Sequence, residues 1–203
     1  MIAVVDYKAG NLTSVMKALA AVGADAVSTA DPGVVTCATK IILPGVGHFQ
    51  ATTFLAEHGL RQAIKSRIAD GVPFLGICVG LQWLFRGSTE ADGIPGLGAF
   101  DAVCDRFSAG QKVPHVGWNS LAIRDNSRLL HGIPNGSFVY FTHSYRAPVI
   151  NATVAVTNYG APFTAAAEHN NVMGVQFHPE KSGPVGLQIL RNFLELRSLE
   201  LPC

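Results

Sequence analysis

The stretch Phe74-Leu75-Gly76-Ile77-Cys78-Val79-Gly80-Leu81-Gln82 decides the fold prediction, because it joins two different kinds of apolar run through one cysteine. Residues 74–77 are uncharged and apolar, as is typical of a strand buried on both faces of a parallel sheet. Residues 79–85 predict a helix. A glycine stands two residues from Cys78 on each side and leaves room for a sharp turn between strand and helix. This G-x-C-x-G spacing is typical of a nucleophile elbow, which places the reactive side chain on such a turn.

Strand and helix signals alternate through the first half of the chain. Short apolar runs predict strands at 2–5, 26–28 and 41–43. Apolar residues at helical spacing predict helices over 12–22 and 52–70. This alternation indicates an α/β fold with a mostly parallel central sheet that is covered by helices on both faces.

The second half of the chain carries shorter, more β-like runs. Strands are predicted at 138–141, 153–156, 163–167 and 172–177, and a closing helix over 185–199. No internal repeat or linker interrupts the sequence. We therefore expect all 203 residues to form a single domain.

Composition excludes several classes of protein. Hydrophobic residues make up 48% of the chain, which is too many for a disordered protein. The net charge of +1 argues against nucleic-acid or anionic-membrane binding that depends on bulk charge. Charged residues make up only 14%, against about 25% in an ordinary soluble domain, so a face covered by another protein is one explanation.

Targeting and metal-binding signals are also missing from the sequence. No basic region precedes the first apolar run, and the longest uncharged stretch, 147–167, contains prolines that argue against a membrane helix. The four cysteines form no C-x-x-C pair and no metal-ligand spacing with histidine. We therefore expect a cytoplasmic protein with free thiols and without a bound metal.

A candidate partner for the cysteine lies in Gln176-Phe177-His178-Pro179-Glu180, directly after a predicted strand. A nucleophile needs a base, and His178 can serve as one. Pro179 favours an extended backbone at His178, so we expect the side chains of His178 and Glu180 to project to the same side. There the Glu180 carboxylate could orient the imidazole. From these residues alone, a core thiol at Cys78 and an ordinary loop histidine at His178 remain alternatives.

A third segment, Pro44-Gly45-Val46-Gly47, also follows a buried strand. Open α/β sheets place their sites at the carboxyl ends of strands. The two glycines leave the peptide between them free to turn an N–H group toward a ligand. A plain turn explains this loop equally well.

These segments together resemble the class I, triad-type, glutamine amidotransferase family. Further segments resemble one branch of that family, the glutaminase subunits of imidazole glycerol phosphate synthase in histidine biosynthesis. They are Asp6-Tyr7-Lys8-Ala9-Gly10-Asn11-Leu12, Pro114-His115-Val116-Gly117-Trp118-Asn119 and Tyr140-Phe141-Thr142-His143-Ser144-Tyr145. The matches run in the family's order through nearly the whole chain.

The resemblance implies a role for each member of the triad. Cys78 would attack the carboxamide carbon of glutamine, which gives a glutamyl thioester and ammonia. His178 would accept the thiol proton, donate one to the departing ammonia and activate water for deacylation. Glu180 would orient His178. The resemblance implies no cofactor and no metal, because the thiolate supplies the nucleophile.

The resemblance also implies how glutamine is held. The Val79 N–H group and a peptide N–H group of the Gly45-Val46-Gly47 loop would form the oxyanion hole. Gln82, one helical turn after Cys78, would face the pocket. The backbone at Ser144 and Tyr145 would hold the amino-acid end of the substrate.

A partner subunit is implied as well, because the ammonia needs an acceptor. In the family this is a cyclase with a (β/α)₈-barrel fold, which forms a heterodimer with the glutaminase. Lys181, Trp118 and Asn119 match positions that the family places at or near this interface, although a core tryptophan explains Trp118 equally well. The main departure from the family is Lys8, which stands where glycine is usual; Thr142 and Leu81 are milder departures.

Other functions share parts of this pattern. An anthranilate- or aminobenzoate-type amidotransferase would have the same elbow but usually has other residues at 114–119 and 140–145. A DJ-1/PfpI-like cysteine hydrolase would lack the His-Pro-Glu ending. A catalytically silent regulatory subunit would be expected to have a broken triad, whereas Cys78, His178 and Glu180 are all present.

Overall fold

The structure is a computed structural model that describes residues 1–108, 110–124 and 127–198. In chain order the strands are β1 (Ile2–Val5), β2 (Ala26–Thr29), β3 (Lys40–Leu43), β4 (Phe74–Ile77), β5 (Phe85–Ser88), β6 (Phe100–Arg106), β7 (His115–Ser120), β8 (Ala122–Ile123), β9 (Phe138–His143), β10 (Tyr145–Arg146), β11 (Thr153–Tyr159), β12 (Ala161–His169) and β13 (Val172–Val175). The α-helices are α1 (Leu12–Ala21), α2 (Pro32–Thr36), α3 (Thr53–Glu57), α4 (Leu60–Ala69), α5 (Val79–Trp83) and α6 (Gly183–Glu195). Two 3₁₀ turns span Phe49–Thr52 and Pro179–Lys181.

A central sheet organises the described part of the chain, with eight strands in the order β2-β1-β3-β4-β13-β12-β11-β8. The five strands from β2 to β13 run parallel, and β12, β11 and β8 extend the sheet by antiparallel pairing. Two smaller sheets also form, β10-β6-β5 and the antiparallel ribbon β7-β9. The mostly parallel α/β sheet predicted from the sequence is confirmed.

Helices flank the sheet as parallel strands require. The chain moves from β1 to the edge strand β2 and then back past β1 to β3. Because both crossovers are right-handed, these opposite movements place α1 and α2 on opposite faces of the sheet. Packing agrees: α2 lies against α4, whereas α1 and α6 both lie against the 3₁₀ turn at Pro179–Lys181. β1, β3, β4 and β13 are therefore neighbouring strands covered on both sides.

Several predicted element bounds were wrong. The helix expected over 52–70 is divided because Gly59 adopts a left-handed backbone (φ 73°) between α3 and α4. The helix expected over 79–85 ends at Trp83, and Phe85 begins β5, where its ring packs against Phe100 at 5.2 Å between centroids. A short apolar run is compatible with helix or strand, so its periodicity could not decide between them.

The closing helix was predicted over 185–199, but α6 begins two residues earlier and ends at Glu195. Leu199 lies outside the described residues. Strands β5, β6, β7, β8 and β10 were not predicted. Within the described ranges, no helix combines the length and the hydropathy needed to cross a membrane.

Candidate active site

The carboxyl ends of four neighbouring parallel strands meet at one edge of the central sheet. Residues 6–11 follow β1, residues 44–47 follow β3, Cys78 follows β4, and residues 176–178 follow β13. Segments that are far apart in the sequence are therefore brought together where open α/β sheets bind their ligands.

The turn at Cys78 has the geometry of a nucleophile elbow. Cys78 has φ 56° and ψ −106°, which is a strained backbone for a residue with a side chain. A Cβ atom on Gly76 would lie 2.4 Å from the Gly80 carbonyl oxygen, and one on Gly80 would lie 2.0 Å from the Leu43 carbonyl oxygen. Both glycines of the motif are therefore required by close backbone packing.

His178 and Glu180 form a buried pair beside the elbow. The Nδ1 atom of His178 and the Oε1 atom of Glu180 are 2.8 Å apart, and the two side chains are 1% and 2% exposed. The predicted meeting of these side chains is confirmed, but the predicted extended run is wrong, because Glu180 lies in a 3₁₀ turn. Desolvation lowers the pKa of His178, but interactions with Cys78 and Glu180 outweigh it and raise the pKa to about 9.

The backbone of His178 is fixed to strand β9. Its N–H group donates to the Tyr140 carbonyl oxygen at 2.9 Å. The buried Ser182 hydroxyl donates to the His178 carbonyl oxygen at 2.6 Å and accepts from the Tyr140 N–H group at 3.0 Å. The imidazole is thus positioned by backbone as well as by Glu180.

Two contacts to the Cys78 sulfur involve residues for which the sequence predicted no role. The Nε2 atom of Gln176 donates to Sγ at 3.6 Å, and Sγ–H donates to the Thr142 carbonyl oxygen at 3.9 Å. Gln176 lies two residues before His178, so its position in the motif was an available signal. No sequence signal pointed to the Thr142 carbonyl.

The 44–47 loop packs against the elbow. The Val79 N–H group donates to the Gly45 carbonyl oxygen at 3.4 Å. A Cβ atom on Gly45 would lie 2.3 Å from the Tyr7 hydroxyl and 2.7 Å from the Val79 Cβ atom, so this glycine is also required by packing. In this arrangement a carbonyl oxygen, and not an N–H group, faces the Val79 amide.

A cavity of about 200 Å³ opens in front of the sulfur. Its walls are Gly47, Cys78, Val79, Gln82, Glu90, Pro114, Thr142, His143, Ser144 and Tyr145. The predicted residues Gln82, Ser144 and Tyr145 therefore line one cavity with the nucleophile candidate. Gln82 donates through Nε2 to the Tyr145 carbonyl oxygen at 2.9 Å, while its buried Oε1 atom has no hydrogen-bond partner among the described residues.

Glu90 is a charged member of this cavity that the sequence analysis missed. One oxygen of its half-buried carboxylate accepts from the Phe49 N–H group at 2.9 Å. Glu90 follows β5, a strand that was not predicted, so nothing in the sequence connected it to the elbow.

The three predicted interface residues lie outside the cavity. Trp118 is 55% exposed, which excludes a core position. Val116, Trp118 and Phe138 expose their side chains on the β7-β9 ribbon, and Tyr140 pairs with Trp118 across it; we call these four residues the ribbon face. Lys181 places its Nζ atom 5.8 Å from the centre of the Tyr140 ring. The Nδ2 atom of Asn119 donates to the Asn158 carbonyl oxygen at 3.1 Å.

Lys8 adopts the left-handed backbone that a glycine would favour, with φ 63°. Its N–H group donates to the Asp6 carboxylate at 2.9 Å, and its exposed Nζ atom reaches the same carboxylate at 3.4 Å. The lysine is therefore accommodated by its own neighbour, and it is absent from the cavity walls.

The other cysteines have different surroundings. Cys104 is buried and Cys37 is exposed, both as free thiols, whereas Cys203 lies outside the described residues. Among the residues whose placement is described, no group of three or more His, Cys, Asp or Glu side chains could hold a metal ion.

Comparisons with known proteins agree with one another. The family model for glutamine amidotransferase class-I matches residues 3–196. The imidazole glycerol phosphate synthase subunit HisH of Thermococcus kodakarensis is 50% identical over 202 residues, covering 97% of this chain and 100% of that protein. The subunit of the same name from Methanothermobacter thermautotrophicus is 48% identical over 197 residues, covering 97% and 98%. A crystal structure described as a glutamine amidotransferase has the same fold, with a TM-score of 0.76 at 20% identity over 96% and 98% of the two chains.

Proposed function

The chain belongs to the class I glutamine amidotransferase family, and on this premise we propose that it is the glutaminase subunit of an imidazole glycerol phosphate synthase. It hydrolyses glutamine to glutamate and ammonia, and the ammonia goes to a cyclase subunit in histidine biosynthesis. The relatives at 48% and 50% identity, which match over nearly their whole length, support this branch of the family.

The observation that carries the chemistry is the buried set of Cys78, His178 and Glu180 at the edge of the sheet. The Cys78 thiol passes its proton to Nε2 of His178, and the thiolate attacks the carboxamide carbon of glutamine. Collapse of the tetrahedral intermediate breaks the C–N bond, and the imidazolium supplies the proton that ammonia needs to leave. Water then attacks the thioester with His178 as base, which releases glutamate and restores the thiol.

The cavity has groups suited to each end of glutamine. The unpartnered Oε1 atom of Gln82 is an acceptor for an N–H group of the substrate, and burial makes an empty acceptor there costly. The Glu90 carboxylate can pair with the substrate ammonium group. The backbone at Ser144 and Tyr145 can hold the same amino-acid end.

The oxyanion site is closed in this conformation, because the Gly45 carbonyl oxygen faces the Val79 N–H group. Rotation of the Gly45–Val46 peptide would move that carbonyl away and present the Val46 N–H group in its place. Two donors, from Val79 and Val46, would then face the developing oxyanion. We expect the isolated chain to hydrolyse glutamine slowly and the partner to favour the rotated loop, with the Gly47 peptide as its hinge.

The ribbon face is the surface proposed for the cyclase partner, a (β/α)₈ barrel in a heterodimer. Exposed apolar side chains such as Trp118 are expected where another protein covers the surface. Lys181 and Asn119 lie beside this face, and Tyr140 joins it to the backbone of His178. A partner seated there would touch Tyr140, whose carbonyl oxygen is one hydrogen bond away from the backbone of His178.

We also propose that the chain forms one domain over residues 1–203 and works in the cytoplasm. One hydrophobic core includes buried residues from Ile2 to Phe193, which supports a single domain. The free thiols of Cys37, Cys78 and Cys104 suit a reducing compartment.

The test compares Cys78→Ala with Cys104→Ala in the complex with the cyclase subunit. Cys78→Ala should abolish glutamine-dependent turnover and leave turnover with added ammonium salt, because only the ammonia supply is lost. Cys104 is also buried, but it is absent from the cavity walls and its thiol donates to the Gln82 carbonyl oxygen, so Cys104→Ala controls for loss of a core thiol. Glutamine-dependent turnover in the Cys78→Ala complex would overturn the assignment.

A second test needs no substitution. An electrophilic glutamine analogue should label Cys78 and spare Cys37 and Cys104, which peptide mass spectrometry can measure. Equal labelling of these thiols would contradict an activated nucleophile at Cys78.

A further inference from the structure

We propose that Gln176 is a catalytic residue whose side-chain N–H group donates to the Cys78 sulfur and favours the thiolate. This inference rests on the glutaminase function proposed above and adds a fourth residue to the reacting centre. Gln176 is fully buried directly after β13, and its Nε2 atom lies 3.6 Å from Sγ, a hydrogen-bond distance for the large sulfur atom.

The orientation of the Gln176 amide is fixed by its neighbours. The Tyr145 carbonyl oxygen can only accept, so the Gln82 atom 2.9 Å from it must be the Nε2 donor. The same nitrogen lies 3.2 Å from Gln176 and therefore requires Oε1 of Gln176 as its acceptor. The NH₂ group of Gln176 must then face Cys78. With the amide reversed, an oxygen would face the sulfur and an NH₂ group would face another NH₂ group.

A second set of hydrogen bonds holds the Tyr145 carbonyl from the other side. His143 donates to it through Nδ1 at 2.8 Å, so Nε2 of a neutral His143 is an acceptor. Nδ1 of His115 lies 3.2 Å from that acceptor and must carry the proton. Asn119 completes the set by donating to Nε2 of His115 at 3.4 Å. The His115 and His143 rings are both buried. In the series of hydrogen bonds that leads from Asn119 to Cys78, each atom therefore has one role, as donor or as acceptor.

The two neighbours of the sulfur act on different protonation states. The Thr142 carbonyl oxygen accepts from the S–H group and so interacts favourably with the thiol alone. The N–H group of Gln176 donates to either form, but more strongly to the anion, because hydrogen bonds to charged acceptors are the stronger ones. When the Cys78 proton moves to Nε2 of His178, Gln176 keeps its own protons and compensates the new charge on sulfur.

The test is the alkylation rate of Cys78 by iodoacetamide as a function of pH, measured on the purified chain by peptide mass spectrometry. Gln176→Met keeps the length of the side chain and removes the donor. Its rate near neutral pH should fall about 10- to 100-fold, the usual worth of a hydrogen bond to a charged group. At high pH, where wild type and variant are both ionised, the two rates should converge. Gln188→Met on α6 is the matched control and should retain the wild-type profile.

Glutamine kinetics of the Gln176→Met variant, measured with the cyclase subunit, should show a defect that also arises at the sulfur. kcat should fall and KM should change little, because Gln176 contacts the sulfur and is absent from the cavity walls. A profile for Gln176→Met that matches the wild type at every pH, in a protein of unchanged melting temperature, would overturn the proposal. Wild-type glutaminase activity tests the proposed function separately, because alkylation requires no glutamine.

A measurement on the wild type covers the case in which Gln176→Met fails to fold. The side-chain amide resonances of Gln176, assigned through bonds on ¹⁵N-labelled protein, should move with the same pH midpoint as the alkylation rate of Cys78. Resonances that stay fixed through this titration would overturn the proposal.

Discussion

Val46→Pro tests whether the oxyanion hole is completed by rotation of the Gly45–Val46 peptide. In the structure the Gly45 carbonyl oxygen accepts from the Val79 N–H group over 3.4 Å, which is a long hydrogen bond. Breaking it costs about 0.5–1.5 kcal/mol. One oxyanion donor is typically worth about 10²–10³ in rate, or roughly 2.7–4 kcal/mol. The free energy that the rotated loop contributes to the transition state therefore exceeds the free energy lost when the resting hydrogen bond is broken.

Proline at position 46 removes the donor that the rotation would supply and leaves the Val79 N–H group in place. The expected result is a weak glutaminase whose rate with the cyclase subunit and its nucleotide ligand falls about 10²–10³ below that of the wild-type complex. Glutamate release is the assay. Val46→Ala keeps the N–H group and should remain fully activated.

Full activation of Val46→Pro, at unchanged affinity for the partner, would refute a switch through this peptide. Gly47→Pro is a poorer test. Gly47 has φ 108°, far from the value near −65° that proline imposes, so the substitution would distort the loop whatever its amide does.

Three further predictions concern packing, the Lys8 loop and pH. Gly80→Ala should destabilise the protein by about 3 kcal/mol or more, because the added Cβ atom would lie 2.0 Å from the Leu43 carbonyl oxygen at the end of β3. An unchanged melting temperature would contradict this prediction. Lys8→Gly should alter the glutaminase rate only modestly, because Lys8 is absent from the cavity walls. It should change the free energy of unfolding by less than about 1 kcal/mol, because glycine readily adopts φ 63°. Complete loss of activity would mean that Lys8 has a direct role in the reaction. Burial lowers the pKa of His115 to about 4 and the pKa of His143 to about 3. A histidine in the unfolded chain has a pKa near 6.5, so below that pH the unfolded chain binds more protons at these two residues than the folded chain does. Between pH 7 and pH 5.5 these two histidines should together cost roughly 2–3 kcal/mol of stability, and His178, with its raised pKa of about 9, should return about 1 kcal/mol. Urea unfolding at the two pH values measures the net loss, and an equal midpoint would contradict two neutral buried histidines.

Strands β1, β3 and β4 were predictable because they are short, apolar and buried on both faces. β1, β3 and β4 bury every residue or all but one, which leaves a continuous apolar run in the sequence. β6 and β7 are half-exposed, and their alternation is irregular. Their conformation depends on partners that lie elsewhere in the chain, such as β9 for β7, and a single sequence does not reveal those pairings.

The residues of the candidate site also differ in how far their positions depend on local sequence. Cys78 and the pair His178 and Glu180 were predictable because each depends on spacing within a few residues. The contact between Gln82 and Gln176 joins residues 94 positions apart, and the carbonyl that faces Val79 comes from a separate loop. Such contacts follow from strand order, which the alternation of strands and helices does not specify.

Packing and chemistry use different residues of the same elbow. Gly76 and Gly80 are fixed by backbone atoms that a Cβ would strike, so they would be required even if position 78 held no nucleophile. Cys78 bears the strained backbone and has the polar contacts, from Gln176 and to the Thr142 carbonyl. We therefore expect a chain that kept the glycines and lost Cys78 to keep the fold and lose the proposed reaction. The G-x-C-x-G spacing is therefore evidence of the turn, whereas the proposed catalysis is supported by the buried polar groups around the sulfur.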